Sequence, residues 1–299
     1  MPVLPKARKI ISSILILFGL LCLTVPFALD LADSHTKKLQ IEENNQAAAA
    51  FTREQRQEQI LAAQTYNQTL LPDSPKYPLS DSQKQQYESL LNPAGDGIMG
   101  AISIPEIDVN LPVYHTTGDA VLNAGVGHLE GSSLPAGGAG SHAILYGHRG
   151  IPGSTLFTRL NEIKEGDLFY LEVMGEKLAY QVDQIQILQP EDNSYCVIEP
   201  GKDLVTLVTC TPFGINNKRL VITGTRTQVP PEAQEKTSSY SKISILVLIT
   251  GLLLAGLWIT VLLRRQGKSR HPANPEPKPK SVTDTDAEKG QNQESRSSQ

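Results

Sequence analysis

The sequence predicts a mainly β domain, closed or nearly closed into a barrel, held between two membrane-spanning helices. Two apolar runs stand near the ends of the chain, and each carries basic residues on its terminal side. Between them, residues 98–226 form short β-branched and aromatic runs punctuated by Gly, Pro and Asn, the texture of a barrel of short strands. The segment joining the first apolar run to the strands is polar and reads as a helical extension, residues 30–97.

The first run, Ile10 to Leu29, follows a short cytoplasmic N-terminus, residues 1–9, that holds Lys6, Arg8 and Lys9. The second, Ile243 to Leu263, is followed by Arg264, Arg265, Lys268 and Arg270. Each is long enough for a transmembrane helix, which needs ~20 apolar residues. Positive charge stays on the cytoplasmic side, so the intervening chain faces outward and the protein is expected in the cell membrane as a multi-pass protein with an extracellular domain. A cleaved signal peptide is the alternative for the first run. Its apolar stretch exceeds the usual ~7–15 residues of such a core, however, and Pro26-Phe27-Ala28-Leu29-Asp30 is a poor cleavage site.

In the extension, Leu31 to Leu70 is rich in Gln, Glu and Ala, with Phe51, Ile60, Leu61 and Tyr66 spaced like one helical face, and predicts one or two surface helices. Pro72, Pro75 and Pro78 then exclude a helix and predict an irregular loop over 71–80. A short helix from about Ser82 to Leu91 and a turn at Asn92–Gly97 lead into the strands.

Candidate strands are Met99–Ile104, Ile107–Tyr114, His142–His148, Asp167–Val173, Lys177–Leu188, Asp203–Cys210 and Arg219–Arg226. Residues 227–242 read as a polar linker to the second span. Residues 264–299, nearly devoid of apolar groups, read as a disordered cytoplasmic tail.

The formal net charge is −4, and no basic stripe or aromatic-interleaved basic cluster points to nucleic acid. Cys22, Cys196 and Cys210 are the only cysteines, and Cys22 lies in the first span. Either Cys196 and Cys210 pair as a disulfide in the exported domain, or at least one is kept as a working thiol.

Cys210 ends the apolar strand Thr206-Leu207-Val208-Thr209-Cys210, and nine residues on Arg219 opens the next. If the two strands pair, a guanidinium that stays charged at any working pH lies beside the thiol. A reactive thiol also needs a proton acceptor, and His148, at a strand end in Tyr146-Gly147-His148-Arg149-Gly150, is the best-placed one. Flanking glycines let backbone and substrate approach it closely.

Thr206-Leu-Val-Thr-Cys210 with Arg219 downstream resembles the TLxTC…R signature of sortases, and Gly147-His148-Arg149-Gly150 resembles that family's histidine segment. Further similarity runs through Ile104-Pro105, Leu111–His115, Gly125–Gly131, Ser133-Leu134-Pro135 and Thr209–Asn216, covering roughly 98–226. The second span and the N-terminal extension resemble class C, pilin-polymerising sortases. The resemblance implies an eight-stranded β-barrel and a cysteine transpeptidase. Cys210 would be the nucleophile, His148 the acid/base and Arg219 the oxyanion or substrate stabiliser, with Thr209 and His128 as substrate-binding or supporting residues. The implied partners are pilin or surface proteins carrying LPXTG-like sorting signals, with a lysine amine of another pilin as acceptor. No cofactor and no metal is implied.

Class C sortases often carry a lid with an Asp-Pro-aromatic motif, which is missing here. The loop Leu71-Pro72-Asp73-Ser74-Pro75-Lys76-Tyr77 is the candidate lid, with Asp73 near Arg219 and Tyr77 or a neighbouring apolar group over Cys210; an ordinary turn is the alternative. His115, His128, His142 and His148 are spaced 13, 14 and 6 residues apart, which fits no compact zinc motif. Asn67-Gln68-Thr69 matches a glycosylation sequon, of little meaning in a Gram-positive host. Two rival functions remain, a hydrolytic cysteine endopeptidase and a non-enzymatic surface module stapled by a Cys196–Cys210 disulfide.

Overall fold

The computed structural model describes residues 5–70, 79–231 and 246–260, apart from 248 and 252. The chain forms two compact units, Met1–Ala255 and Gly256–Gln299; in the second, residues 256–260 are helical. The first unit holds eight strands: β1 (Ile98–Ile104), β2 (Val109–His115), β3 (Val126–His128), β4 (Ser141–Gly147), β5 (Leu168–Val173), β6 (Glu176–Leu188), β7 (Asp203–Thr211) and β8 (Lys218–Thr227). They close into a barrel in the order β1-β2-β3-β4-β7-β8-β6-β5.

Closure removes exposed strand edges, and each strand sends alternate residues inward. Ile102, Leu145, Leu207, Ile222, Phe169 and Tyr180 meet in the interior. A second cluster lies on the other face of β4, β7 and β8, where Ile144, Val208 and Val221 pack with Tyr195 and Cys196 from the β6–β7 connection.

The seven expected strands are all present within a residue or two. The eighth, β3, escapes sequence reasoning because it is three residues long and contains a glycine, too short for alternation to register. It pairs parallel to β2 and antiparallel to β4. The crossover to it carries a short helix, Asp119–Ala124.

The extension differs from expectation in its first helix and in one residue of its second. The first apolar run does not end near Leu29 but continues as a single helix, α1, over Pro5–Ala49. At 1.5 Å per residue it is about 67 Å long, enough to cross a bilayer and reach along the barrel. It is also more than a surface helix, because Lys37, Ile41, Asn44 and Ala48, spaced by three and four, are buried against the barrel. Asn44 donates to the Ile98 carbonyl at 2.9 Å.

Helix α2 (Arg53–Gln68) begins at a reciprocal cap between Thr52 and Gln55. It buries Tyr66, while Phe51 and Ile60 pack against the core; Leu61, expected on the same face, is 61% exposed. Asn67 of the sequon is buried, its amide spanning the Leu134 N–H (2.7 Å) and carbonyl (3.0 Å), so it is a structural bridge rather than a glycan acceptor. Helix α3 (Asp81–Ser89) starts at a similar cap between Ser80 and Gln83. The turn before β1 is closed by Asn92 and Asp96, which accept from the Gly97 and Ile98 amides, each at 3.0 Å.

Among the described residues one helix is long and apolar enough to cross a membrane, the first. The expectation of two such helices is not met there. The second run appears as a shorter apolar helix over Ile249–Thr260. The candidate lid with Asp73 and Tyr77 lies outside the described residues, as do most of the linker and the whole tail.

Candidate active site

The register of three adjacent strands brings the predicted triad together. β7 and β8 are antiparallel, with Cys210 directly opposite Arg219. β4 runs parallel to β7, with Tyr146 level with Val208. Two residues further along the same register, His148 stands level with Cys210. The Thr209 hydroxyl maintains this alignment past the end of β4 by donating to the Gly147 carbonyl at 2.7 Å.

Side-chain alternation then sets the face. Leu145, Leu207 and Leu220 point into the barrel, whereas Ile144, Tyr146, Val208 and Val221 belong to the outer cluster. By the period of two, His148, Cys210 and Arg219 fall on that outer face, in a row across β4, β7 and β8. All three are half-buried. His148, Cys210 and Arg219 are therefore neighbouring positions on one half-exposed sheet face.

Local structure explains why the chain turns at this point. Gly147 is required by close approach, since a Cβ there would lie 2.4 Å from the Phe157 ring. The His148 carbonyl accepts from the Phe157 amide at 3.0 Å, closing the loop that follows β4.

Arg149, which sequence reasoning left without a role, fixes this loop to the end of β7. It donates to the Thr158 carbonyl (3.1 Å), Asn161 Oδ1 (2.6 Å) and the Thr211 hydroxyl (3.2 Å), and it lies over the Phe213 ring. Its adjacency to His148 was the only available signal.

The Arg219 guanidinium donates through Nη1 to the carbonyls of Lys218 (3.2 Å) and Asn216 (3.5 Å) in the β7–β8 connection. Beside it, the Tyr146 and Tyr195 hydroxyls share a hydrogen bond of 2.5 Å. Burial pushes the Tyr146 phenol up, and the hydrogen bond from Tyr195 and the Arg219 charge pull against that shift. Phe213 and Ile215, 60% and 67% exposed, give this connection an apolar rim.

Cys196 and Cys210 are both free thiols. Cys196 is buried in the outer cluster, and burial pushes its thiol up to about 11. A disulfide-stapled module is thus not the arrangement observed.

Thr209 and His128 are brought to different places. Thr209 is buried, its hydroxyl committed to the Gly147 carbonyl. His128 is fully buried in β3, where it stands level with Leu145 of β4 rather than with His148. It accepts from the Tyr87 hydroxyl at Nδ1 (2.9 Å) and donates from Nε2 to the Ser133 carbonyl (2.7 Å). Loss of hydration on burial lowers it to about 3, so it is neutral at working pH and structural.

His142 is equally committed, with Nδ1 donating to the Val197 carbonyl and Nε2 accepting from Thr206, both at 2.7 Å. The His115 nitrogens face the carbonyls of Gly97, Tyr87 and Leu90 at 3.0–3.1 Å. Among the described residues, no three His, Cys, Asp or Glu side chains converge as metal ligands.

Residues 102–227 match the model of the sortase domain. Among solved structures, sortase C1 from Streptococcus agalactiae is 40% identical with a TM-score of 0.62, covering 64% of this chain and 99% of that one. Sortase C from Streptococcus pneumoniae is 36% identical with a TM-score of 0.56, covering 63% and 96%. A Clostridium perfringens sortase C, solved with the C-terminal cell wall sorting motif, is 35% identical with a TM-score of 0.56, covering 64% and 98%. Of the curated relatives, sortase A from Streptococcus agalactiae is 32% identical over 117 residues, 38% of this chain and 47% of the relative. Sortase D from Bacillus subtilis is 32% identical over 130 residues, 42% of this chain. The chain spans about half to two thirds of these curated relatives, 47% and 63% of their lengths.

Proposed function

This chain belongs to the sortase family of cysteine transpeptidases, and from that premise we propose that it cleaves LPXTG-like sorting signals between Thr and Gly and joins the product to a lysine amine of another pilin subunit. Its structural neighbours are class C sortases, and the Streptococcus pneumoniae structure among them bears on pilin substrate specificity in that enzyme. The observation that carries the reading is the row His148–Cys210–Arg219 on one accessible face of β4, β7 and β8.

In this reaction the Cys210 thiolate attacks the Thr carbonyl carbon and the C–N bond to Gly breaks, leaving a thioester. His148 gives its proton to the departing Gly amine, then accepts one from the lysine amine that attacks the thioester and expels the thiolate. Arg219, opposite Cys210 in the strand register, supplies the positive charge that stabilises the oxyanion of each tetrahedral intermediate. The exposed Phe213 and Ile215 of the β7–β8 connection offer the peptide an apolar rim. In the same reading the 71–80 loop serves as a lid that Asp73 helps to hold, and Asp73→Ala should then raise the alkylation rate of Cys210.

The first helix anchors the enzyme in the cell membrane with the barrel outside, and the run at 243–263 adds a second span. Incubating the chain with an LPXTG peptide and a lysine amine tests the core of the reading. A thioester on Cys210 and an amide-joined product, seen by mass spectrometry, are expected, and both should vanish in Cys210→Ala. Cleavage or joining by that variant would exclude Cys210 as the nucleophile.

A further inference from the structure

The loop between β4 and β5 that begins at His148 is tied at its tip to the helix that continues into the membrane. The Thr155 hydroxyl donates to Asp30 of α1 at 2.8 Å. Lys37, only 3% exposed, donates to Ser154 Oγ at 2.6 Å and to Asp33 Oδ2 at 2.5 Å. Gly153 lies against Leu29, close enough that a Cβ on Gly153 would sit 3.2 Å from the leucine Cβ. Asp30 is the first charged residue after the apolar run, so these contacts lie where α1 leaves the bilayer.

A buried lysine is costly unless its charge is paired and its donors are used, and here both conditions are met by this one joint. Had α1 been only a tether, an apolar or exposed residue would serve at position 37.

The tip communicates with the site through a single strained residue. Between Thr155, held by α1, and Phe157, packed on Gly147, stands Leu156, fully buried with φ of +38°. A branched residue in that region persists only when both flanks are fixed. Phe157 in turn holds the His148 carbonyl and fills the space beside Gly147. Loosening the α1 joint lets Leu156 relax and shifts Phe157, and with it the root of the histidine.

We propose that the membrane-anchoring helix is a positioning element for His148, with Asp30 and Lys37 as positioning residues that act through Ser154, Thr155 and Leu156. The inference rests on the reading of His148 as the acid/base. It makes transpeptidation depend on how the anchor enters the domain, and it predicts that a catalytic domain cut free of residues 30–37 works below its full rate.

The test uses the full chain in lipid nanodiscs, with an LPXTG peptide and a lysine amine, and reads kcat, KM and the pH profile of Cys210 alkylation followed by mass spectrometry. Lys37→Met and Thr155→Val should each lower kcat about tenfold, as a displacement of well under 1 Å at an acid/base does, with KM within about twofold. Their alkylation profiles should move toward that of His148→Ala. Lys37→Arg should restore most of the rate, and Lys38→Met, an exposed neighbour, should behave as the parent. If Lys37→Met loses its folding transition, Thr155→Val decides alone, because it removes one surface-proximal bond without burying a new group. Parental kcat and a parental profile in the folded variants overturn the positioning role while a dead His148→Ala keeps the acid/base reading. An active His148→Ala with a parental profile overturns that reading itself.

Discussion

Replacing Thr209 by valine is the most searching perturbation of the nucleophile strand. Valine keeps the branched shape and the volume, so barrel packing is nearly unchanged, but the hydroxyl that donates to the Gly147 carbonyl at 2.7 Å is lost. Thr209 is only 2% exposed, so water does not take its place. A buried carbonyl stripped of its partner costs about 1–3 kcal/mol, against a few tenths for the altered packing. The expected loss of stability is therefore about 2 kcal/mol. Urea unfolding followed by circular dichroism should show a lower midpoint with an unchanged slope. Because the same bond keeps His148 level with Cys210, kcat should fall as well, by roughly tenfold. Thr209→Ser, which keeps the hydroxyl, should retain most of the activity. A midpoint for Thr209→Val within about 0.5 kcal/mol of the parent, or a serine variant as inactive as the valine one, would refute the argument.

Three further outcomes follow from the same structure. Burial pushes the Cys196 thiol up to about 11, so at pH 8 it is ~0.1% thiolate, and iodoacetamide should modify Cys210 while leaving Cys196 untouched in peptide mapping of the folded protein. His128 is lowered to about 3 from 6.5 by burial; the unfolded chain binds its proton first, so stability is complete above pH 6.5 and falls toward pH 3 by about 1.4 kcal/mol per unit. His128→Gln should flatten that decline in urea midpoints taken from pH 7 to 4, and an equally steep decline would remove His128 as its cause. Gly147→Ala places a methyl 2.4 Å from the Phe157 ring and should lower stability by about 2 kcal/mol, with Phe157→Leu in the same chain recovering part of the loss in thermal melts.

The strands were legible because their β-branched runs are long enough for alternation to show, and the Cys210–Arg219 pair because a short connection forces two adjacent strands to meet. β3 was not, since three residues carry no period even though its partners are the strands directly before and after it in the chain. The position of His148 was legible only as a strand end. Its alignment with Cys210, 62 residues away, is fixed by the parallel pairing of β4 with β7, which no local signal announces. Lys37 misled in the opposite direction. In sequence it belongs to a polar helix, and its burial depends on a loop more than a hundred residues later.

The residues around the nucleophile show why threonine recurs in a strand otherwise built of leucine and valine. Leu207 and Val208 fill the two sides of β7, one inside the barrel and one under Tyr195 and Cys196. Thr206 and Thr209 are as buried as these but spend their hydroxyls sideways. Thr206 donates to His142 of β4 and accepts from Thr223 of β8, while Thr209 reaches Gly147 of β4. Side-chain bonds thus reinforce the ladder on both flanks of β7, on the β8 side at Thr206 and on the β4 side as far as Thr209. A thiol at the end of an isolated strand would share its fraying; one at the end of a strand stapled to both neighbours cannot shift without breaking buried hydrogen bonds, each about 1 kcal/mol in net worth and more when left unpaired. The two threonines brace the strand that carries Cys210 from its sides, and the β7–β8 connection beyond it exposes Phe213 and Ile215. If the proposed peptide substrate lies along that connection, Phe213→Ala should raise KM with kcat little changed, whereas Thr206→Val, which loosens a buried support, should do the reverse.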